Sequence, residues 1–186
     1  MAATNSVRPV ALITGPTSGL GGGFARKYAS LGYDVVLVAR DEQRLVALAD
    51  ELTCRFGVHA EALPADLSDT ADRARVADRL AAGVSVLVNN AGFATAGEFW
   101  TAAPELLHSQ LGVNVTAVRE LTRAALPSMI EAGAGTVVNV ASVAGLVSGR
   151  GSTYLASKAW GVSFTEGLAN GFLGPGVRQH GLCPGF

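Results

Sequence analysis

A strand, a glycine turn and a helix follow one another directly near the start of the chain, and this succession restricts the fold more than any other feature. The apolar run Val10–Thr14 predicts a short buried strand. The turn after it has the spacing G-x-x-x-G-x-G, set by Gly15, Gly19 and Gly21. Glycines in this setting let backbone amides approach a pyrophosphate at the positive end of a helix. The simpler alternative is a flexible turn without a ligand.

The alternation of apolar runs and helical patterns continues along the chain. Further strands are predicted at 35–38, 58–63, 84–88, 136–140 and 177–182. Six strands alternating with helices predict an α/β fold, a Rossmann-type doubly wound parallel sheet in three αβα layers. The sequence contains no linker, so residues 1–186 are expected to form a single domain.

The composition excludes several classes of protein. The chain of 186 residues is 49% hydrophobic and 16% charged with a net charge of −1, which excludes disorder and a basic surface for nucleic acid. Cys54 and Cys183 lack the spacing of metal ligands and are interpreted as reduced thiols, so no metal is expected. The sequence shows no signal core and no membrane-spanning apolar run, which predicts a cytoplasmic protein without a membrane partner.

The stretch from Ser142 to Lys158 carries the candidate chemistry. Tyr154 and Lys158 are four residues apart and share one face of a predicted helix. Ser142 follows the predicted strand 136–140, at the carboxyl end where open α/β sheets bind ligands. A hydroxyl, a phenol and an ammonium there suit proton transfer with a substrate oxygen, because a nearby cation favours the phenolate. The alternative is an ordinary helix with an exposed tyrosine and lysine.

The end of the second predicted strand bears on the choice of cofactor. That strand ends in Ala39-Arg40. An arginine here accommodates a ribose 2′-phosphate, whereas an acid would bind the 2′-hydroxyl, so the sequence favours NADP over NAD. Ser18 in the glycine turn is a further candidate ligand, and Asp41 fits better as the N-cap of the helix 42–56. A solvated surface charge is the alternative for Arg40.

Two other polar residues each have two interpretations. Asp66 follows the third predicted strand and either meets the adenine of the cofactor or helps to cap the next helix, for which Ser68 and Asp69 are candidates. Asn114 lies inside a long predicted helix that starts near Pro104, although asparagine is unfavourable inside helices. Asn114 therefore either bends that helix or serves the site.

These motifs together resemble one family, the short-chain dehydrogenases/reductases. The motifs that carry the resemblance cover almost the whole chain in the family's order: Thr14–Gly21, Asn89–Gly92, Asn114, Ser142, Tyr154-x-x-x-Lys158 and Pro184-Gly185. The resemblance implies an oxidoreductase that moves a hydride between a nicotinamide cofactor and the carbonyl or alcohol group of a small molecule. It also implies a homodimer or homotetramer, in which the helices at 104–130 and 152–173 pair across a two-fold axis.

The resemblance further implies a role for each site residue. Tyr154 exchanges the proton, while Ser142 hydrogen-bonds the substrate oxygen. Lys158 favours the phenolate and holds the ribose, and Asn114 anchors a water that relays protons to Lys158. The implied cofactor contacts are Gly15, Gly19 and Gly21 at the pyrophosphate, Asn90 along the cofactor, and Asp66 at the adenine.

Members of this family usually continue well beyond their Pro-Gly motif, with a substrate loop and a final strand. The sequence here stops at Phe186, so we expect the family's C-terminal substrate segment to be missing and the strand 177–182 to form a sheet edge. Two alternatives to an active oxidoreductase follow. One is a cofactor-binding domain without turnover, and the other is a partner protein that uses only the fold.

Overall fold

Parallel strands joined by helices build the protein, as the alternating pattern predicts. The computed structural model describes residues 8–147, 152–171, 174 and 176–185. Six strands form one parallel sheet in the order β3-β2-β1-β4-β5-β6. Their bounds are β1 Val10–Thr14, β2 Asp34–Ala39, β3 Ala60–Pro64, β4 Val86–Asn89, β5 Gly135–Val140 and β6 Val177–Leu182. The strand order reverses between β1 and β4, and ligands of open α/β sheets bind at such a switch point.

Helices cover the sheet on both faces. Their bounds are α1 Gly19–Ser30, α2 Glu42–Phe56, α3 Thr70–Ala81, α4 Pro104–Leu111, α5 Val118–Glu131 and α6 Ser152–Asn170. Side chains of β1 alternate between two apolar cores: Leu12 packs with α3 and α5, whereas Ala11 and Ile13 pack with α1 and α2. The predicted Rossmann-type arrangement of three layers is therefore confirmed.

Two strands begin later than the apolar pattern predicts. Val58 and Val84 are only 3% and 7% exposed, yet β3 begins at Ala60 and β4 at Val86. Both valines fill the core before the backbone enters the sheet, so a buried side chain does not mark the start of a strand. The helix predicted to end near Leu173 ends at Asn170, and Leu173 lies outside the described residues.

Two further expectations concern membrane-spanning helices and the edge of the sheet. None of the described helices is long and apolar enough to cross a membrane. Within the described part of the sheet, β6 pairs with β5 alone and therefore forms an edge. Arg178 and His180 are exposed on this strand. Charged and polar side chains on an edge strand disfavour its pairing with the sheet of another molecule.

Candidate active site

The glycine turn after β1 is packed closely against the start of α1. Gly15 and Gly19 have φ angles of +65° and +52°, a left-handed conformation that favours glycine. A Cβ atom at Gly21 would overlap the carbonyl oxygen of Gly15 and lie 2.5 Å from Nδ2 of Asn90. The start of α1 therefore approaches the turn so closely that only glycine fits at position 21. The binding of a ligand by this turn stays a prediction.

The turn is also tied to the loop after β4. Nδ2 of Asn90 donates to the carbonyl oxygens of Thr14 and Gly15 at 2.9 and 3.0 Å. Oγ1 of Thr14 in turn accepts from the backbone amides of Asn90 and Ala91 at 3.0 and 2.9 Å. Asn90 thus holds two neighbouring strand ends together. Thr14 shares this role, which the sequence did not predict because its hydrogen-bond partners lie 76 and 77 residues further along the chain.

A cavity of about 1010 Å³ lies over the carboxyl ends of β1, β2, β3 and β4. Six of the predicted cofactor residues line it: Gly15, Ser18, Gly19, Arg40, Asp66 and Asn90. Gly21 lies beneath the glycine turn. Lys158 lines a separate, smaller cavity together with Asn114. Arg44, on the first turn of α2, also lines the large cavity, and the sequence reading did not single it out.

Arg40 and Asp66, two residues of opposite charge, both line the large cavity. Oδ1 of Asp66 accepts from the backbone amide and the hydroxyl of Ser68, at 2.9 and 2.8 Å. Burial alone would raise the pKa of the Asp66 carboxyl, but the two Ser68 hydrogen bonds and the charge of Arg40 outweigh burial and lower it. Asp69, and neither Asp66 nor Ser68, caps α3 by accepting from the amide of Asp72 at 3.0 Å. The carboxylate of Asp66 is therefore not the cap of α3, although the backbone amide of Asp66 donates to Oδ2 of Asp72 in the first turn of that helix at 2.7 Å.

The helix that contains Asn114 does not continue as an α-helix. Residues Gly112–Ala117 form a π-helical segment between α4 and α5. Asn114 is 5% exposed. Its side chain donates to the backbone carbonyl of Phe93 at 3.0 Å and accepts from the backbone amide of Phe93 at 3.1 Å. Asn114 also donates to Oγ of Ser157 at 3.1 Å. Such π-helical turns often occur at functional sites.

Tyr154 and Lys158 lie on one face of α6. Nζ of Lys158 is 5.7 Å from the centre of the Tyr154 ring. The lysine is 8% exposed, and its ammonium donates to the carbonyl oxygen of Val140 at 2.8 Å. Burial lowers the pKa of the Lys158 ammonium, because the interior disfavours the charged form. The carbonyl at the end of β5 thereby holds the Lys158 amino group beside the Tyr154 ring.

Ser142 lies just past β5 and caps a short 3₁₀ turn. Its Oγ accepts from the amide of Ala144 at 3.1 Å. A Cβ at Gly145, the last residue of that turn, would lie 2.6 Å from the carbonyl carbon of Lys158. The turn with Ser142 therefore packs directly on α6. Among the hydrogen bonds of the described residues, none joins Ser142 to Tyr154.

A comparison with sequence models of protein families shows which family the chain belongs to. The family model described as short chain dehydrogenase matches residues 9–186. The chain belongs to the short-chain dehydrogenase family. Members of this family are NAD(P)-dependent oxidoreductases, so the predicted family and class of enzyme are both confirmed.

Curated members of the short-chain dehydrogenase family match nearly the whole chain. Sulfoacetaldehyde reductase 2 of Chromohalobacter salexigens is 40% identical, over 95% of this chain and 72% of the reductase. The very-long-chain 3-oxoacyl-CoA reductase of Anas platyrhynchos is 32% identical, over 94% of this chain and 58% of the reductase. The chain is thus similar to reductases that differ widely in the size of their named substrates.

Solved structures of short-chain dehydrogenases match the fold closely. A short-chain dehydrogenase from Sphingobium yanoikuyae in complex with NADPH has a TM-score of 0.92 and 40% identity, over 95% of this chain and 70% of that one. The bulky-bulky ketone specific alcohol dehydrogenase from Comamonas testosteroni also has a TM-score of 0.92, with 32% identity over 95% of this chain and 72% of that one.

Proposed function

We propose that this short-chain dehydrogenase transfers a hydride between NADP(H) and the carbonyl or alcohol group of a small molecule, with Tyr154 as the general acid or base. The observation that carries the proposal is the buried Lys158 ammonium, 5.7 Å from the centre of the Tyr154 ring. Both groups lie on one face of α6 at the carboxyl end of the sheet, where a phenol can exchange a proton with a substrate oxygen.

The residues of the large cavity fit a dinucleotide. Gly15, Gly19 and Gly21 have no side chain, so the backbone of the turn leaves room for a pyrophosphate at the start of α1. Asp66 is suited to the adenine, since its Oδ1 is engaged by Ser68 and its other oxygen has no hydrogen bond among the described residues. When bound, the nicotinamide supplies or accepts the hydride.

Arg40 supports the choice of NADP over NAD. It lines the cavity together with Arg44, and an arginine at the end of this strand suits a ribose 2′-phosphate. Asp41, which could instead bind a 2′-hydroxyl, caps α2 by accepting from the amide of Arg44 at 3.1 Å. Its carboxylate also lies 3.3 Å from Nε of Arg44. The Sphingobium yanoikuyae structure with NADPH and a metagenomic family member with NADP are similar to this chain and agree with this choice.

The site residues divide the proton chemistry between them. Tyr154 gives a proton to the substrate oxygen during reduction and takes it back during oxidation. Oγ of Ser142 accepts from Ala144 and is free to donate to the same substrate oxygen. Lys158 uses one of its three donors on Val140, which leaves two for ribose hydroxyls and a relay water.

Asn114 and Lys158 define the position of that water. A Cβ at Gly92 would lie 3.2 Å from Oδ1 of Asn114 and 3.3 Å from Nζ of Lys158, so both atoms converge beside this glycine. Oδ1 of Asn114 accepts one hydrogen bond from Phe93 and has a second lone pair available. A water bound by both groups would pass protons to Lys158.

The test compares two substitutions in α6. Tyr154→Phe removes one hydroxyl and keeps the packing of the ring, so kcat should fall by about 10²–10⁴ while NADPH affinity stays nearly unchanged. Lys158→Met should lower both kcat and NADPH affinity, because Lys158 serves the phenol and the ribose. Turnover is measured with NADPH on a panel of carbonyls that includes sulfoacetaldehyde and a 3-oxoacyl thioester.

Tyr33→Phe is the matched control, since Tyr33 packs edge-on against Tyr28 beside α1 and should leave kcat unchanged. Turnover that survives in Tyr154→Phe would contradict the assigned role of the phenol. A wild-type protein that binds NADPH and turns over no carbonyl would instead favour a cofactor-binding domain without turnover.

We also propose that the chain forms a homodimer or homotetramer. Leu111 and Ile130, at the ends of α4 and α5, are 45% and 48% exposed. On α6, the rings of Trp160 and Phe164 stack 4.6 Å apart between centroids. Apolar surface on these helices supports pairing between copies. Light scattering that shows a monomer at micromolar concentration would contradict this assembly.

A further inference from the structure

We propose that Arg73 positions the adenine loop, residues 66–68, against the π-helical segment that carries Asn114. The adenine end of the site and the buried amide of Asn114 would then share one support. This inference rests on the proposed binding of NADP(H) and deepens it, since it assigns a positioning residue to the adenine end.

Arg73 is a charged residue on the buried face of α3. It lies three residues before Val76 and seven before Leu80, both fully buried, so it continues their apolar stripe. Its side chain is only 8% exposed, and its Nε donates to Oε2 of Glu120 at 2.7 Å. A charge buried in such a position is costly unless it is paired and hydrogen-bonded.

The other donors of Arg73 hold the adenine loop. Nη1 donates to the carbonyl oxygens of Leu67 and Ser68 at 3.1 and 2.9 Å, and Nη2 donates to Thr70 at 3.0 Å. Ser68 in turn donates to Oδ1 of Asp66 from both its amide and its hydroxyl. Arg73 therefore fixes the residue that orients the Asp66 carboxylate.

The adenine loop is also packed on the π-helical segment. A Cβ at Gly112, the first residue of that segment, would lie 3.3 Å from Cα of Ser68. Glu120, the partner of Arg73, lies in the first turn of α5 directly after the segment. The loop is thus attached on both sides of Asn114, by contact at Gly112 and through Arg73 at Glu120. A displacement of the loop would therefore displace Asn114.

The experiment measures the affinity for 2′,5′-ADP by calorimetry, because this probe carries the adenine and the 2′-phosphate but no nicotinamide. Arg73→Met should weaken binding about tenfold, since the contact of Asp66 with adenine would lose its orientation. Arg79→Met is the matched control on α3. Arg79 pairs with Glu61 at 2.8 Å, away from the adenine loop, and its removal should change the affinity less than about twofold.

Two further variants separate positioning from general stability. Arg73→Lys retains a cation and should recover part of the affinity. In an Asp66→Ala background, Arg73→Met should have no further effect on affinity, because Arg73 acts through Asp66. A loss of affinity equal to that of Arg79→Met, or losses that add fully to that of Asp66→Ala, would overturn the inference.

Gly112→Ala tests the link to Asn114. Ser68 is held on two sides and has little room to move away from the added methyl group, so 2′,5′-ADP affinity and kcat with NADPH should fall together. Gly167→Ala is the control, since a Cβ at Gly167 in α6 has no neighbour within 4 Å. Unchanged kcat and affinity in Gly112→Ala would overturn the shared support. A wild-type protein that binds neither NADPH nor 2′,5′-ADP would overturn the proposed function itself.

Discussion

Replacing Gly21 by alanine should destabilise the fold, although alanine normally favours a helix. The added Cβ would overlap the carbonyl oxygen of Gly15 and lie 2.5 Å from Nδ2 of Asn90. Neither neighbour can move freely, because Asn90 donates to both Thr14 and Gly15. Relief of the clash therefore requires the loss of these hydrogen bonds or a shift of α1 away from the sheet.

The magnitude follows from three contributions at Gly21. Loss of the two partly buried hydrogen bonds of Asn90 costs about 0.5–1.5 kcal/mol each. Forcing a methyl group into a filled space costs about 1–3 kcal/mol. The helix preference of alanine over glycine recovers about 1 kcal/mol. We therefore expect the free energy of unfolding to fall by about 3 kcal/mol.

Gly23→Ala provides the matched control two residues further along α1. Gly23 is exposed, and a Cβ there has no neighbour within 4 Å, so the substitution should stabilise the chain by about 0.5–1 kcal/mol. Urea unfolding measures both variants, and NADPH titration checks that Gly21→Ala also weakens cofactor binding. If Gly21→Ala is as stable as Gly23→Ala and binds NADPH equally well, the close packing of the turn is refuted.

Three further outcomes test the site. Arg40→Ala should weaken NADPH binding about tenfold to a hundredfold and leave NADH binding unchanged. Equal losses of affinity for both cofactors would contradict the proposed contact of Arg40 with the 2′-phosphate. Gly92→Ala should lower kcat by at least about tenfold, since the methyl group would displace the relay water between Asn114 and Lys158, whereas an unchanged kcat would exclude that water. Because folding lowers the pKa of Asp66, its ionised carboxylate stabilises the fold at pH values above the ordinary carboxyl pKa of about 3.9. This stabilisation is lost as the pH falls through the folded-state pKa. The stability difference between wild type and Asp66→Asn should therefore narrow as pH falls from 7 towards 3, and a constant difference would contradict the shift.

Local patterns explain what the sequence predicts well. The bounds of β1 agree because an apolar run ends directly at glycines that turn the chain. The bounds of α2 agree because Asp41 supplies a cap, accepting from the amide of Arg44, and Gly57 ends the helix in the left-handed conformation. Both signals lie within a few residues of the structure that they determine.

Contacts between distant parts of the chain explain what the sequence does not predict. In the sequence, Arg73 resembles any charged residue of a helix. Only the folded structure shows that Glu120 of α5 lies beside it. Gly145 appears as a loop glycine until the 3₁₀ turn packs on the backbone of Lys158. Neither partnership has a spacing or a composition that marks it in advance, so only the folded arrangement reveals it.

The helix that contains Asn114 is irregular at that residue, whereas the role of Asn114 in the site stays a prediction. A buried amide costs free energy unless its hydrogen bonds are satisfied. The π-helical segment brings Asn114 to Phe93 and Ser157, which satisfy both ends of the amide. Gln110, fully buried in α4, also donates to the carbonyl of Phe93 at 3.2 Å. Phe93 lines the large cavity, so the irregular turn holds the loop after β4 at the wall of that cavity.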